Sequence, residues 1–195
     1  EEFIPHIFEE HFLVLTGTRG DVQKLSSAVF PYVVLSENTS LSSVLNFLQD
    51  IFDFYDDWSN ELNTFLLKND DITLLLHNAL KIFQNPLSVI SVDFSLIAET
   101  GEEKIPEKSR IFSDKEPNID YINALTQDET YQSFCNSPTP FFFPGYITGI
   151  STLTMNIFQN GVPTHRLILY EAQKPITRGE YCLLSHLAGY VEYLL

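Results

Sequence analysis

The sequence predicts an α+β fold: an antiparallel sheet flanked by long helices and preceded by a small β-α-β remnant. Three observations support this prediction. Apolar residues recur at three- and four-residue spacing through Leu41–Leu67, which is the period of a long helix. Two pairs of short segments, each pair separated by turn residues, predict β-hairpins. The helical period then returns in the last segment, Thr177–Leu195.

Residues 1–40 are predicted to be the tail of a preceding α/β unit. Residues 12–15 and 32–35 are apolar runs typical of short buried strands, and Asp21 can cap a brief helix between them. The main domain is then predicted to span residues 41–195.

The main domain is predicted to begin with two helices. Ser40 or Thr39 can cap Leu41–Leu67, whose apolar stripe is wide enough to bury one flank and offer the other to a partner. Residues 68–71 break this helix and cap a second one, Ile72–Phe83, which ends before Asn85 and Pro86.

The remaining elements follow in order. Residues 87–92 and 96–98 form a tight hairpin, residues 101–110 a charged surface loop, and residues 119–125 and 129–134 two short helices. Residues 141–146 are predicted to be an irregular aromatic stretch. Residues 152–159 and 164–171 pair around the turn signal Asn160-Gly161, and a capping box of Thr177 and Glu180 begins the last helix.

Composition limits the partners. With 11 Lys and Arg residues against 26 Asp and Glu, the net charge is −15, so this segment is not expected to bind nucleic acid or an anionic membrane. No signal-peptide pattern occurs, and no apolar run approaches the roughly 20 residues that span a bilayer. Cys135 and Cys182 lack metal-like spacing and are expected to be free thiols of a cytoplasmic protein. Because the sequence starts without Met and stops within a helical pattern, we expect it to be a fragment of a longer protein.

The order of elements resembles a GAF/PAS-type sensory domain. Residues 85–98, NPLSVISVDFSLIA, are similar to a segment of PucR-like transcriptional regulators of Gram-positive anaerobes: Asn-Pro, an apolar run, Asp, and apolar positions ending in Ala. In that family the segment follows a helical stretch like residues 51–58, IFDFYDDW, and residues 32–36, YVVLS, fit the end of the family's N-terminal α/β domain. The resemblance covers residues 10–195. It implies a cytoplasmic sensory region placed before a helix-turn-helix domain that is absent from this sequence.

A candidate pocket lies on the second hairpin. Strand alternation places Thr154 and Asn156 on one sheet face, together with Arg166 and Tyr170. If helices cover the opposite, apolar face, these side chains lie beneath the aromatic stretch, which suits a small organic ligand, an anionic one if Arg166 meets it. The alternative is an ordinary two-sided sheet, with Arg166 in solvent and the Phe run filling the core. The predicted ligand-binding residues are Phe141, Phe143, Tyr146, Thr154, Asn156, Arg166 and Tyr170.

Other clusters favour structural explanations. Five carboxylates between Asp50 and Glu61 could share a divalent cation, but a solvated helix face explains them better. Cys182 and His186 share a face of the last helix, where packing or surface positions are the better explanation than a nucleophile–base pair or half a zinc site. Residues 16–21 lack the glycine pattern of a phosphate-binding loop. We therefore predict no catalytic residue, no metal site and no cofactor.

The sequence thus predicts the sensing and dimerisation region of a bacterial transcriptional regulator. A small metabolite would bind beneath residues 101–150, and a homodimer would form through Leu41–Leu67 and Thr177–Leu195. A ligand-free structural dimerisation module is the alternative. An enzyme is the least favoured, because no nucleophile, base and orienting group stand out together.

Overall fold

The structure, a computed structural model, describes residues 13–17, 32–68, 71–113 and 116–195. Its contacts divide the chain into two compact units between Ser59 and Asn60. This boundary falls inside the long helix, so the division at residue 40 stays a prediction.

In the first unit, strands β1 (Leu13–Gly17) and β2 (Tyr32–Ser36) pair in parallel. Parallel neighbours need a crossover connection, which agrees with the predicted β-α-β unit. The helix predicted between them lies outside the described residues.

Helix α1 (Leu41–Leu66) follows, one residue shorter than predicted. The Ser40 hydroxyl accepts a hydrogen bond from the Ser43 amide at 3.1 Å, so Ser40 caps the helix as predicted. Val44 and Trp58 are buried, whereas Leu45 and Phe52 are exposed. The stripe therefore has a covered flank and an open flank.

In the second unit, helix α2 (Ile72–Phe83) has the predicted bounds. Asp71 caps the first turn of α2, because its carboxylate accepts hydrogen bonds from the backbone amides of Thr73 and Leu74. Asn85, fully buried just past its end, donates to the Lys174 carbonyl at 2.9 Å and accepts from the amides of Gln173 and Lys174. The Asn85 side chain thus ties the start of the sheet to the segment before the last helix.

The second unit contains an antiparallel five-stranded sheet in the order β4-β3-β9-β8-β7, while β5 and β6 form a separate two-stranded antiparallel sheet. The strands are β3 (Leu87–Ser91), β4 (Leu96–Thr100), β5 (Phe112–Ser113), β6 (Glu116–Pro117), β7 (Phe141–Phe143), β8 (Thr152–Gln159) and β9 (Val162–Tyr170). The remaining helices are α3 (Ile119–Gln127), α4 (Glu129–Phe134) and α5 (Arg178–Leu194). The two predicted hairpins are therefore confirmed, as β3–β4 and β8–β9.

Helices α2 and α5 contact each other and cover one face of the sheet. The capping box that begins α5 is present, with the Thr177 amide donating to the Glu180 carboxylate at 2.8 Å. Buried apolar side chains fill this layer, among them Leu75, Leu153 and Leu187. This side of the sheet is the apolar face that alternation predicts.

The opposite face is covered by residues 102–113 and 116–150, where one prediction is wrong and another is incomplete. The aromatic stretch is not irregular throughout, because Phe141–Phe143 is the edge strand β7, with Phe141 opposite Thr154. The predicted surface loop 101–110 contains two single-turn 3-10 helices and buries Ile105 and Ser109. Covering a sheet face requires apolar contacts from segments whose local pattern indicates only loop.

Within the described ranges, no helix combines the length and apolar character needed to cross a membrane.

Candidate ligand site on the covered sheet face

Four polar side chains of β8 and β9 are buried together beneath this cover. Asn156 lies opposite Arg166, and the next residue pair on the same face sets Thr154 opposite Ile168. Tyr170 is the last residue of β9 on that face. Thr154, Asn156, Arg166 and Tyr170 are 3%, 1%, 5% and 3% exposed. The alternative that placed Arg166 in solvent is therefore wrong.

Phe141 and Phe143 are also buried, and they belong to the hydrophobic cluster on this face. The Phe141 ring stacks on Phe134 at a centroid distance of 5.0 Å, and the Phe143 ring meets Tyr131 edge-on at 5.3 Å. Phe141 and Phe143, which were predicted to line a pocket, thus help to fill the core. This agrees with the alternative prediction, in which the Phe run fills the core of a two-sided sheet.

The Arg166 guanidinium lies among aromatic rings. Its central carbon is 5.4 Å from the ring centroid of Phe94 and 5.6 Å from that of Tyr131, within cation–π range. Nη2 donates to the Cys135 sulfur at 3.6 Å. The buried Nε and Nη1 atoms have no hydrogen-bond partner among the described residues. A charged group is therefore buried with most of its donors unpaired.

Tyr131 does not supply the missing negative charge. Burial raises the pKa of its phenol, and the positive charge of Arg166 lowers it by less, so that the pKa reaches about 12. The phenol stays protonated at neutral pH.

Asn156 holds the C-terminal end of α4 to the sheet. Its Nδ2 donates to the carbonyl oxygens of Phe134 at 2.9 Å and Ser137 at 3.0 Å. Two acceptors around this nitrogen fix the orientation of the amide. The Asn156 Oδ1 atom is buried and has no hydrogen-bond partner in the described part of the chain.

Tyr146 lies outside the buried group, which corrects its predicted role as a pocket wall. Tyr146 is 58% exposed, although its ring centroid lies 5.1 Å from that of Phe143, and its hydroxyl donates to the Asp128 carboxylate at 2.7 Å. Asp128 caps α4 by accepting from the Tyr131 amide, also at 2.7 Å. Hydrogen bonds from that amide and from the Tyr146 hydroxyl lower the pKa of Asp128. Tyr146 thus fastens the other end of α4.

Tyr170 borders a separate cleft of about 240 Å³ at the end of the same face. Its hydroxyl forms a hydrogen bond of 2.9 Å with Ser88, and burial raises its pKa above the usual value. Glu102 and Arg110 contribute charged side chains to the lining.

A second space on this face is much smaller, and neither Arg166 nor Asn156 lines it. A cavity of about 20 Å³ is lined by Phe94, Tyr131 and Thr154. That volume holds about one water molecule, whereas ligand pockets occupy roughly 300–1,000 Å³. Ile111 lines both this cavity and the 240 Å³ cleft. Arg166 lines neither of these two spaces, and at 5% exposed it is enclosed by the protein in this structure.

Phe94 and Tyr131, the two aromatic neighbours of Arg166, are not among the residues predicted from the sequence. A usable signal existed for Tyr131, since it and Phe134 stand three apart in an otherwise polar helix and so share a face. No such signal existed for Phe94. It adopts φ 66°, uncommon for a non-glycine residue, in a turn held by a hydrogen bond between Ser91 and Ser95.

Comparison with known proteins bears on the fold. No protein-family model matches the sequence, and no curated protein matches it. The structure is similar to the crystal structure of the GAF domain from Acinetobacter phosphoenolpyruvate-protein phosphotransferase. The TM-score is 0.52 and the identity 8%, over 72% of this chain and 92% of that chain. The fold is GAF-like.

The GAF domain/HD domain protein from Geobacter sulfurreducens also matches, with a TM-score of 0.43 and 16% identity, over 66% of this chain and 95% of that chain. The predicted α+β, GAF-like fold is confirmed by the similarity to the Acinetobacter domain. At 8% identity that similarity shows the fold alone, and the likeness to PucR-like regulators stays a prediction.

Proposed function

We propose that this GAF-like domain senses a small metabolite on the covered face of its sheet. It would belong to a cytoplasmic, PucR-like bacterial transcriptional regulator and act on a separate DNA-binding domain. The observation that carries the proposal is the burial of polar side chains on β8 and β9 beneath a separate cover.

Burying these groups costs free energy that an apolar face would not cost. Asn156 and Arg166 each leave buried polar atoms without a partner among the described residues. Buried polar atoms without hydrogen-bond partners are exceptions in native proteins, and such exceptions are expected at functional sites. A bound ligand would supply the missing partners.

Ligand binding would be transmitted through the sheet. Strands β8 and β9 carry Thr154 and Arg166 on the ligand face, and the same strands contact α5 on the other face. The cavity lined by Phe94, Tyr131 and Thr154 holds about one water, so a larger ligand that reaches Arg166 must displace α4 or the segment around Ile111. The domain would then have a closed and an open arrangement whose populations the ligand shifts.

Dimerisation would use the open flank of α1 together with α5. Leu41, Leu45, Leu48, Phe52 and Tyr55 follow one another at spacings of four and three residues, the pattern of a coiled-coil seam. All are exposed except Leu48, which is half-buried. A second copy of the chain would cover this seam.

A thermal-shift screen tests sensing, with purines, nucleotides, amino acids and sugar acids as probes. A ligand at a hundred times its dissociation constant adds about 2.7 kcal/mol to the free energy of unfolding, which a rise in melting temperature reveals. A hit must also change the DNA affinity of the full-length regulator. Unchanged DNA affinity at saturation would refute the regulatory role.

Analytical ultracentrifugation tests the dimer. The wild-type chain should sediment at twice its 22.3 kDa mass, and Leu45→Glu with Phe52→Glu should restore the monomer. Gln49→Glu, on the same helix but outside the seam, is the matched control. A wild-type monomer would refute the proposed dimer.

A ligand-free dimerisation module is the second candidate, and the small volume of the cavity lined by Tyr131 and Thr154 favours it. A stable dimer that binds nothing in the screen would support this candidate. Neither candidate assigns catalysis to the domain.

A further inference from the structure

The proposed function does not specify the chemistry of the ligand. An inference about that chemistry rests on the proposed function. We infer that the ligand is a small carboxylate that also carries a neutral hydrogen-bond donor such as a hydroxyl. Arg166 binds the carboxylate, and Asn156 accepts the hydrogen bond.

The positive charge of Arg166 has no negatively charged partner among the described residues. Arg166 is only 5% exposed, and none of the described Asp or Glu residues forms an ion pair with it. A guanidinium keeps its charge at physiological pH, and a buried charge without a partner is strongly destabilising. The Cys135 thiol is a weak acceptor that engages only Nη2. An anion is therefore missing from the site.

The planar guanidinium of Arg166 matches the shape of a carboxylate. Phe94 and Tyr131 pack around the guanidinium, while Nε and Nη1 remain unpaired. Stacking on aromatic rings leaves the N–H edges of a guanidinium free, and a planar carboxylate matches that edge with two parallel hydrogen bonds. The surrounding aromatic walls favour a small organic acid over a bare inorganic anion.

Asn156, on the neighbouring strand, indicates the second group that the ligand carries. Asn156 directly opposes Arg166, and side chains so paired lie with their Cβ atoms about 5 Å apart. Its amide nitrogen is occupied by two carbonyls, so the oxygen is the free atom and requires a donor. An ammonium group there would meet the positive charge of Arg166, so a neutral donor fits better.

Matched probes separate the two contacts. Acetate and glycolate differ by one hydroxyl, as do propionate and lactate, while acetamide and lactamide lack the negative charge. We expect saturable binding of glycolate or lactate by calorimetry. The corresponding acid without the hydroxyl should bind about tenfold more weakly, the equivalent of one hydrogen bond. The amides should not bind measurably.

Variants assign the carboxylate contact to Arg166. Arg166→Met should weaken glycolate or lactate binding by more than tenfold, a loss of over about 1.4 kcal/mol. The exposed Arg178→Met, which removes an equal charge, should leave binding unchanged. If Arg166→Met does not fold, Arg166→Lys serves instead. Lysine lacks the planar fork, so binding should still weaken.

Two results would overturn the inference. Equal binding of an acid and its amide, or undiminished binding by Arg166→Met, would show a small-molecule site that does not recognise a carboxylate; sensing would survive. Absence of binding by every acid and amide, with the Arg166 Nε–H resonance unmoved in NMR spectra, would also refute it. The broader thermal-shift screen then decides the proposed function separately.

Discussion

Asn156 and Arg166 face each other across the β8–β9 ladder, and each buries a polar atom without a hydrogen-bond partner among the described residues. Asn156 offers a hydrogen-bond acceptor, and Arg166 offers donors and a positive charge. This pairing makes the centre of the sheet face costly for the empty protein and suited to a ligand.

Replacing Arg166 with Met should stabilise the ligand-free protein. The variant loses two cation–π contacts, each worth roughly 0.5–2 kcal/mol, but it removes an unpaired buried charge that costs several kcal/mol. We expect the free energy of unfolding in urea to rise by about 1 kcal/mol or more. Arg178→Met is the exposed control and should change stability by less than about 0.5 kcal/mol. A clear loss of stability in Arg166→Met would mean that the guanidinium has an effective partner in the empty protein.

Replacing Asn156 with Ala should loosen the cover. The change deletes two hydrogen bonds and leaves the Ser137 carbonyl without its donor, whereas the Phe134 carbonyl still accepts from the Ser137 amide. The free energy of unfolding should therefore fall by about 2 kcal/mol. The urea midpoint measures the loss, provided that the slope is unchanged. Asn123→Ala, at an exposed position of α3, is the matched control. If both variants are equally stable, Asn156 does not hold α4.

Asp128 should make the cover sensitive to acid. Its pKa is lower in the folded than in the unfolded protein, so its stabilising effect is complete above the unfolded value of about 3.9. The effect is lost as the pH falls through the lower folded pKa. Asp128→Asn keeps a good helix cap but does not titrate. The difference in melting temperature between wild type and Asp128→Asn should therefore shrink only below about pH 4.

The Tyr146 hydroxyl contributes to this effect. Tyr146→Phe removes one donor to the carboxylate, so NMR titration should show the pKa of Asp128 closer to its usual value. An unchanged pKa in Tyr146→Phe would mean that the Tyr131 amide alone lowers it.

Gly145 should tolerate no side chain. A Cβ atom there would lie 2.5 Å from the carbonyl carbon of Ile150, so the backbone itself must move. Gly145→Ala should lower the free energy of unfolding by about 2 kcal/mol. Gly189→Ala should instead raise it by roughly 0.5–1 kcal/mol, because a Cβ added at that position in α5 meets no atom within 4 Å beyond its chain neighbours and the nearby backbone of its own helix. A neutral Gly145→Ala would show that the loop to Ile150 is free to relax.

By itself the sequence determined the elements with strong local signals. Helical periodicity located α2, the Asn160-Gly161 turn located the β8–β9 hairpin, and strand alternation placed Asn156 and Arg166 on one face. These features depend on residues close together in the chain, so their periods and turn residues are legible in one sequence.

Only the tertiary structure decided what covers that face. Phe141–Phe143 became an edge strand because β8 offered free backbone groups, and Tyr146 turned outward because Asp128 accepts its hydroxyl. Phe94 reached Arg166 through a backbone conformation that its sequence does not indicate. Each outcome depends on contacts between residues distant in the chain, whose free energies decide among conformations that local propensity leaves nearly equal.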